Sequence, residues 1–253
     1  MFAKIVTRSF TDPVTILLFL SLMTLGGIVG EYVSFGSETF DVSKFTFSGT
    51  TLNSGSSGGV FGVYNANGDA TITGTFGAPE SSVHYGGVIG QYKNSDLTHY
   101  LTPKDLTVNN VKQTSNTQKL GGVVLNVTGE SYIKVDGVTV NVTEVAEKRD
   151  ISNPLGGIVS TIGASAKSGS FLDTAGDFTL TTSYAYNGGA IADSFKNGVL
   201  RLAETTDISG AQTANGYVQL IYENDNTLVY MPRVRAAMLI GHSSAMRIQL
   251  LRT

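Results

Sequence analysis

No cysteine and no tryptophan occur anywhere in the 253 residues, and proline is found only five times. Without cysteine the chain has no disulfide framework, no thiolate zinc site and no thiol nucleophile. Charge is scarce too, at 15% of residues against 41% apolar, which excludes the charged, apolar-poor composition of disordered chains. Only three histidines are present, His84, His99 and His242, and their separations match no metal-ligand spacing. No GxxxxGK[ST] loop occurs, so the glycine-rich segments read as corners and not as phosphate cradles. No sustained 3.6-residue apolar period runs between residues 31 and 230, so helices there should be short or absent. No metal and no cofactor is expected, although the Asn65–Asp69 turn has the residue types of a calcium loop.

What the chain does have is glycine in pairs. Six Gly-Gly pairs stand at Gly26-Gly27, Gly58-Gly59, Gly86-Gly87, Gly121-Gly122, Gly156-Gly157 and Gly188-Gly189, at intervals of 32, 28, 35, 35 and 32 residues. Each is followed by two apolar residues. The first three continue alike, as Gly26-Gly-Ile-Val-Gly-Glu-Tyr32, Gly58-Gly-Val-Phe-Gly-Val-Tyr64 and Gly86-Gly-Val-Ile-Gly-Gln-Tyr92. A fixed period of this size marks an array of one supersecondary unit. Paired glycines allow positive φ and close backbone approach, both useful at a corner. Strict alternation would place Val60 with Tyr64 on one face and Phe61 with Val63 on the other. Either a bulge at Gly30, Gly62 and Gly90 breaks the alternation, the reading preferred here, or an apolar column faces outward.

Between the pairs recurs an apolar-Thr-apolar triplet, centred on Thr15, Thr46, Thr71, Thr107, Thr139 and Thr179. Alternation with β-branched and aromatic neighbours signals a half-buried strand. The six threonines are read as one outward ladder. Polar gaps such as Ser54–Ser57 and Ala78–Ser81 carry turn chemistry and vary in length, as extruded loops do. A degenerate last unit is read in Val199–Leu202, Asn215–Tyr222 and Thr227–Tyr230. Two or three strands per repeat fit one turn of an all-β, right-handed parallel β-helix (a β-solenoid) of about six to seven coils. The hand is taken from the general preference of parallel crossovers.

The expected organisation is an N-terminal cap or leader over 1–13, solenoid repeats over 14–230, and a basic tail or cap over 231–253. The last segment carries Arg233, Arg235, Arg247 and Arg252 and no acid, leaving 13 basic against 20 acidic residues elsewhere. That acidic body argues against nucleic acid as a partner. Residues 13–30 hold no charge, so two readings stay open: a first coil or cap, or a signal peptide or anchor, which would bring membrane contact.

The repeated Gly-Gly-[Val/Ile]-[Val/Phe/Ile]-Gly resembles the GLUG motif of repetitive bacterial surface and secreted proteins, over about two thirds of the chain. The fourth, fifth and sixth copies depart from it, with Leu125, Ser160 and Ala192 at the last glycine. The resemblance implies an extracellular or cell-surface solenoid, adhesive or spacer-like, and brings no catalytic residues. A glycan or surface protein is the expected partner, with self-association or further repeats at the open ends. The chief alternative is a polysaccharide-processing β-helix enzyme using paired carboxylates, for which Asp69, Asp96, Asp105, Asp136, Asp173 and Asp177 are the acids at hand. Ice or carbohydrate binding through the threonine ladder is the other. Asn126-Val-Thr128 and Asn141-Val-Thr143 are N-glycosylation sequons, relevant only in a eukaryotic source.

Overall fold

In the computed structural model the described residues are 24–34, 36–46, 51–52, 56–81, 84–94, 97–114, 118–129, 131–144, 155–162, 170–174, 176–182, 188–189, 192–195, 198–202, 208–209, 227–230, 240–242 and 246–249. Thr15 and the leader or first-coil reading of residues 1–23 lie outside them, as do Asp96, Asn215–Tyr222 and most of the turn after Glu144.

The chain is an all-β solenoid whose strands pair in parallel, each with its equivalent one repeat away. Three sheets run along it. A short glycine sheet joins Thr24–Gly26, Ser56–Gly58, Tyr85–Gly86, Leu120–Gly121, Leu155–Gly156 and Gly188–Gly189. A middle sheet begins three residues later in most repeats, with Val29–Val33, Phe61–Asn65, Ile89–Asn94, Val124–Gly129, Val159–Ile162, Ala192–Phe195 and Ile240–His242. A long sheet follows, with Glu38–Asp41, Ala70–Gly77, Tyr100–Lys112 and Tyr132–Glu144 leading to shorter strands. Residues 56–144 make three successive turns through all three sheets. Among the described residues the only helical element is one 3-10 turn, Val42–Lys44, and no helix is long and apolar enough to cross a membrane.

The glycine pairs work by close approach, not by positive φ, which among the described glycines is confined to Gly36, Gly74, Gly129 and Gly137. A Cβ on Gly58 would stand 1.9 Å from the Phe61 carbonyl oxygen and 2.3 Å from the Gly90 nitrogen. On Gly59 it would stand 2.1 Å from the Gly87 oxygen and 2.8 Å from the Phe76 ring. Gly87 and Gly122 meet Val108 and Val140 in the same way, at 2.9 and 2.7 Å. Phe76, Val108 and Val140 are register partners in the long sheet, so a column of large side chains fills the space left by a column of absent ones. The hydrogen-bond ladder continues round this corner, with Gly59 N–H donating to Gly86 O at 3.1 Å and Gly87 N–H to Gly121 O at 2.9 Å. Buried backbone groups are thereby satisfied.

The sixth pair sits one residue out of step with the sequence count. Gly188 pairs with Leu155, and Gly189 with Gly156, so Gly189 holds the first-glycine position. Ala192 accordingly aligns with Val159 rather than with Ser160.

The alternation does break at the third glycine, as preferred: Phe61 and Tyr64, three residues apart, both lie in the core, as do Ile89 and Tyr92. The break is repeated from turn to turn, so Phe61, Val63 and Tyr64 still face Ile89, Gln91 and Tyr92 without a register shift. The chain bends as well at the second glycine and the first apolar residue. Val60, Phe61, Val88 and Ile89 are all buried. Gly90 lies against Ser57, where a Cβ would come within 2.7 Å of its carbonyl carbon.

The long sheet has its own bend, at Gly74 (φ 102°), Asp105 (φ 46°) and Gly137 (φ 69°). The left-handed region suits glycine and, among other residues, Asp and Asn. In the next repeat the strand separates there into Ser170–Thr174 and Phe178–Thr182. Phe45-Thr46-Phe47 does not form the expected strand at its described residues. Asp41 accepts from Ser43 N–H at 3.0 Å and caps the 3-10 turn, so the chain leaves the sheet before Phe45. In the segment expected as a tail or cap, Ile240–His242 and Met246–Gln249 join the middle and long sheets.

His84 provides a titratable tie between turns. Its Nδ1 accepts from Lys119 N–H at 2.9 Å, which requires an unprotonated nitrogen. Partial burial and then the Lys119 charge hold its pKa below the usual 6.5. The neutral form is favoured on folding, so its contribution is complete above pH 6.5 and is lost as pH falls below it. Urea titrations at pH 7.5 and 5.5 should show a pH-dependent loss on the order of 1 kcal/mol, that of one hydrogen bond. His84→Gln, whose amide oxygen can accept without titrating, should flatten that part of the slope. An unchanged slope would remove His84 from the account.

Candidate functional site: the outer face of the long sheet

Alternation along the long strands divides their side chains. Leu101, Leu106, Val108, Ile133, Val135, Val138 and Val140 are buried, while Thr102, Thr107, Asn109, Lys134, Asp136, Thr139 and Asn141 reach the surface between them. Parallel pairing in constant register puts like positions one above another. Outward side chains therefore stand in files along the solenoid.

The threonines form two files, not one. Thr107 pairs with Thr139, Thr139 with Thr179 and Thr179 with Ser209, while Thr75 pairs with Thr107. Thr71 belongs to a second file with Thr39 and Thr102. The bend at Gly74 and Asp105 separates them, and Thr46 stands exposed outside the strands. Thr39, Thr75 and Thr102 are the members that triplet matching misses, because their neighbours break the apolar-Thr-apolar form. Beside the first file Asn141 Nδ2 donates to Asn109 Oδ1 at 2.6 Å. That half of the face is hydroxyl- and amide-rich, with charge confined to its end, where Lys112 pairs with Glu80 at 2.6 Å beside Glu144.

The other half, before the bend, is aromatic and charged. Tyr100 and Tyr132 pair in register with ring centroids 5.5 Å apart. Lys134 Nζ lies 5.6 Å from the Tyr100 centroid, and the Tyr132 hydroxyl donates to Asp173. Lys104 Nζ is 3.2 Å from Asp136. The backbone register continues this position through Phe171, Val199, Leu228 and Arg247. At Tyr100 and Tyr132 an outward position, expected to be polar by alternation, carries an aromatic ring.

The acids considered for catalysis are spread among structural contacts. Asp69 accepts from Tyr100 N–H at 3.1 Å and lies 3.5 Å from His99 Nδ1. Asp136 and Asp173 are engaged as above. Asp105 is exposed at the bend, and Asp177 is exposed with its carbonyl accepting from Val138 N–H. In the Asn65–Asp69 turn Asn65 Nδ2 donates to Glu31 at 2.6 Å and Asn67 Nδ2 to the Ser34 carbonyl at 2.9 Å. Among the described residues no three His, Asp or Glu side chains come together as a metal site would need. The sequon asparagines Asn126 and Asn141 lie mid-strand and half-buried.

Inside the middle sheet, Tyr32, Tyr64 and Tyr92 stack at 5.4 and 6.0 Å. Glu38 accepts from Tyr32 at 2.7 Å and from Tyr64 at 3.5 Å. Burial first, and the Glu38 carboxylate after it, push both hydroxyls well above the usual phenol range. This column is core and not surface. Comparison with protein-family models, with curated proteins and with solved structures finds no match for the chain.

Proposed function

We propose that the chain is a segment of a right-handed, extracellular or cell-surface β-helix of six to seven coils, of the GLUG-like kind. It works without catalysis, as an adhesin or structural stalk that binds through a lateral strand face. The observation that carries this reading is the outer face of the long sheet. Register fixes its side chains in files several turns long, on a backbone whose hydrogen bonds and glycine packing leave little freedom. A rigid, repetitive surface meets an extended partner with little ordering cost at the interface.

Binding of the whole chain to a glycan array and to intact cells tests it. Saturable binding, without turnover of the bound polysaccharide, is the expected result. Polysaccharide cleavage would replace the reading with the enzyme alternative. Silence in both binding assays would leave a stalk without a ligand.

A further inference from the structure

We infer that the Tyr100–Tyr132 file, with Thr102, Lys104, Lys134, Asp136 and Asp173 beside it, is a subsite for an extended neutral polysaccharide. The inference rests on the lateral-face reading above and narrows it to one half of one sheet and to one ligand class.

Tyrosine is amphipathic, with an apolar ring and a polar tip, and its two torsions leave little side-chain entropy to lose on binding. The C–H faces of pyranose rings stack on such rings, and their hydroxyls need donors and acceptors close by. Both kinds of group are in place. The two rings are held by each other, by Lys134 over Tyr100 and by the Tyr132–Asp173 hydrogen bond. Thr102 stands between Thr71 and Lys134 in the adjoining file, and Lys104 and Asp136 close the far edge.

Charge balance selects the class of glycan. The patch contains two lysines and two aspartates, Lys104 and Asp136 face each other at 3.2 Å, and Asp69 against the Tyr100 backbone and exposed Asp105 add further carboxylates at its border. Such a surface has no positive field to concentrate a polyanion, and the chain as a whole is at −3. An acidic glycan or nucleic acid would meet carboxylates it could not displace from their partners. A neutral sugar chain can use all four charged groups as hydrogen-bond partners. The two rings stand on successive turns, one above the other along the solenoid, which suits a polymer lying along the axis rather than a single terminal sugar.

The experiment is affinity electrophoresis of the full chain in gels containing neutral polysaccharides (β-glucan, mannan) or acidic ones (alginate, polygalacturonate). It is run on wild type, Y100A/Y132A and T107A/T139A, with melting temperatures measured alongside. The expected result is retardation by a neutral polysaccharide, weakened about tenfold or more in Y100A/Y132A and unchanged in T107A/T139A. Should the double tyrosine variant fold poorly, nitration of the wild-type chain read by mass spectrometry replaces it. A bound neutral polysaccharide should protect Tyr100 and Tyr132 from nitration.

Binding that survives Y100A/Y132A but is lost in T107A/T139A would overturn this inference and leave the lateral-face reading standing. So would salt-sensitive binding to the acidic polymers alone. Binding lost in neither variant, with no protection of the two tyrosines, would also overturn it. No binding to any polymer or to cells would overturn both.

Discussion

Gly86→Ala, a single added methyl group, is expected to leave the chain unfolded or insoluble. The new Cβ would lie 1.9 Å from the Ile89 oxygen, 2.5 Å from the Leu125 nitrogen and 2.9 Å from the Ile89 carbonyl carbon. Carbon atoms in contact sit about 3.5–4.0 Å apart, so these are overlaps, and all three obstacles are backbone. No rotamer change relieves them. Relief requires moving the middle-sheet strand away from the glycine sheet, which breaks the bonds from Gly87 N–H to Gly121 O and from Val88 N–H to Val123 O. Loss of corner packing and of laddered bonds together places the cost above about 4 kcal/mol, in the exceptional range for single substitutions. A domain is stable by only about 5–15 kcal/mol. The control is Gly77→Ala, whose Cβ would meet nothing closer than Asn110 Nδ2 at 3.6 Å, at an exposed position. It should change stability by no more than about 0.5 kcal/mol. Circular dichroism and a urea midpoint for both variants decide the matter. A folded Gly86→Ala chain with a midpoint near wild type would refute the corner account.

That corner was legible in the sequence because its requirement is absolute. Where a side chain cannot fit, the same residue must recur, and the recurrence shows in one chain. The parallel strands at Ala70–Ile72, Leu106–Val108, Val138–Val140 and Phe178–Leu180 were legible for a related reason, since alternation of buried and exposed positions is written into residue type. What escaped was register. Gly188 matches the pattern by identity, yet Gly189 takes the first-glycine place, and only ladder pairing can tell neighbouring identical residues apart. Thr46 fails for a local reason. Asp41 captures Ser43 and starts a turn, a competition that a triplet of residues does not reveal.

The surface was harder to read than the core. Outward residues have no packing partner to constrain them, so a threonine is as consistent with strand propensity as with binding. One signal was present. Tyr100, Tyr132 and Phe171 stand at intervals of 32 and 39 residues, each just before an interior residue, Leu101, Ile133 and Leu172. Tyr100 and Tyr132, aromatic at outward positions, are a departure from alternation. The spacing of the three varies, so the repeat becomes evident only once the strands are aligned. The kink at Gly74, Asp105 and Gly137 was hidden likewise, because three different local sequences meet one backbone demand.

Tyr64→Ala should bring the largest loss of any single core truncation in the first turns, about 3–5 kcal/mol. The ring is fully buried and meets four others, Tyr32 at 5.4 Å, Phe40 at 5.9 Å, Phe61 at 5.3 Å and Tyr92 at 6.0 Å. Removing it empties the centre of an edge-to-face cluster, in which each aromatic pair adds about 0.5–1.5 kcal/mol beyond burial. Tyr64→Phe keeps the ring and deletes only the hydroxyl, whose contact with Glu38 is long at 3.5 Å, and should cost no more than about 1 kcal/mol. The gap between the two variants measures packing apart from hydrogen bonding. In a solenoid each turn depends mainly on its neighbours, so the loss should also be local. Hydrogen exchange should quicken in Val29–Val33, Phe61–Asn65 and Ile89–Asn94, and change far less in Phe178–Thr182. Equal acceleration at both ends would mean that the stack unfolds as one cooperative unit, and the nearest-neighbour description would have to be given up.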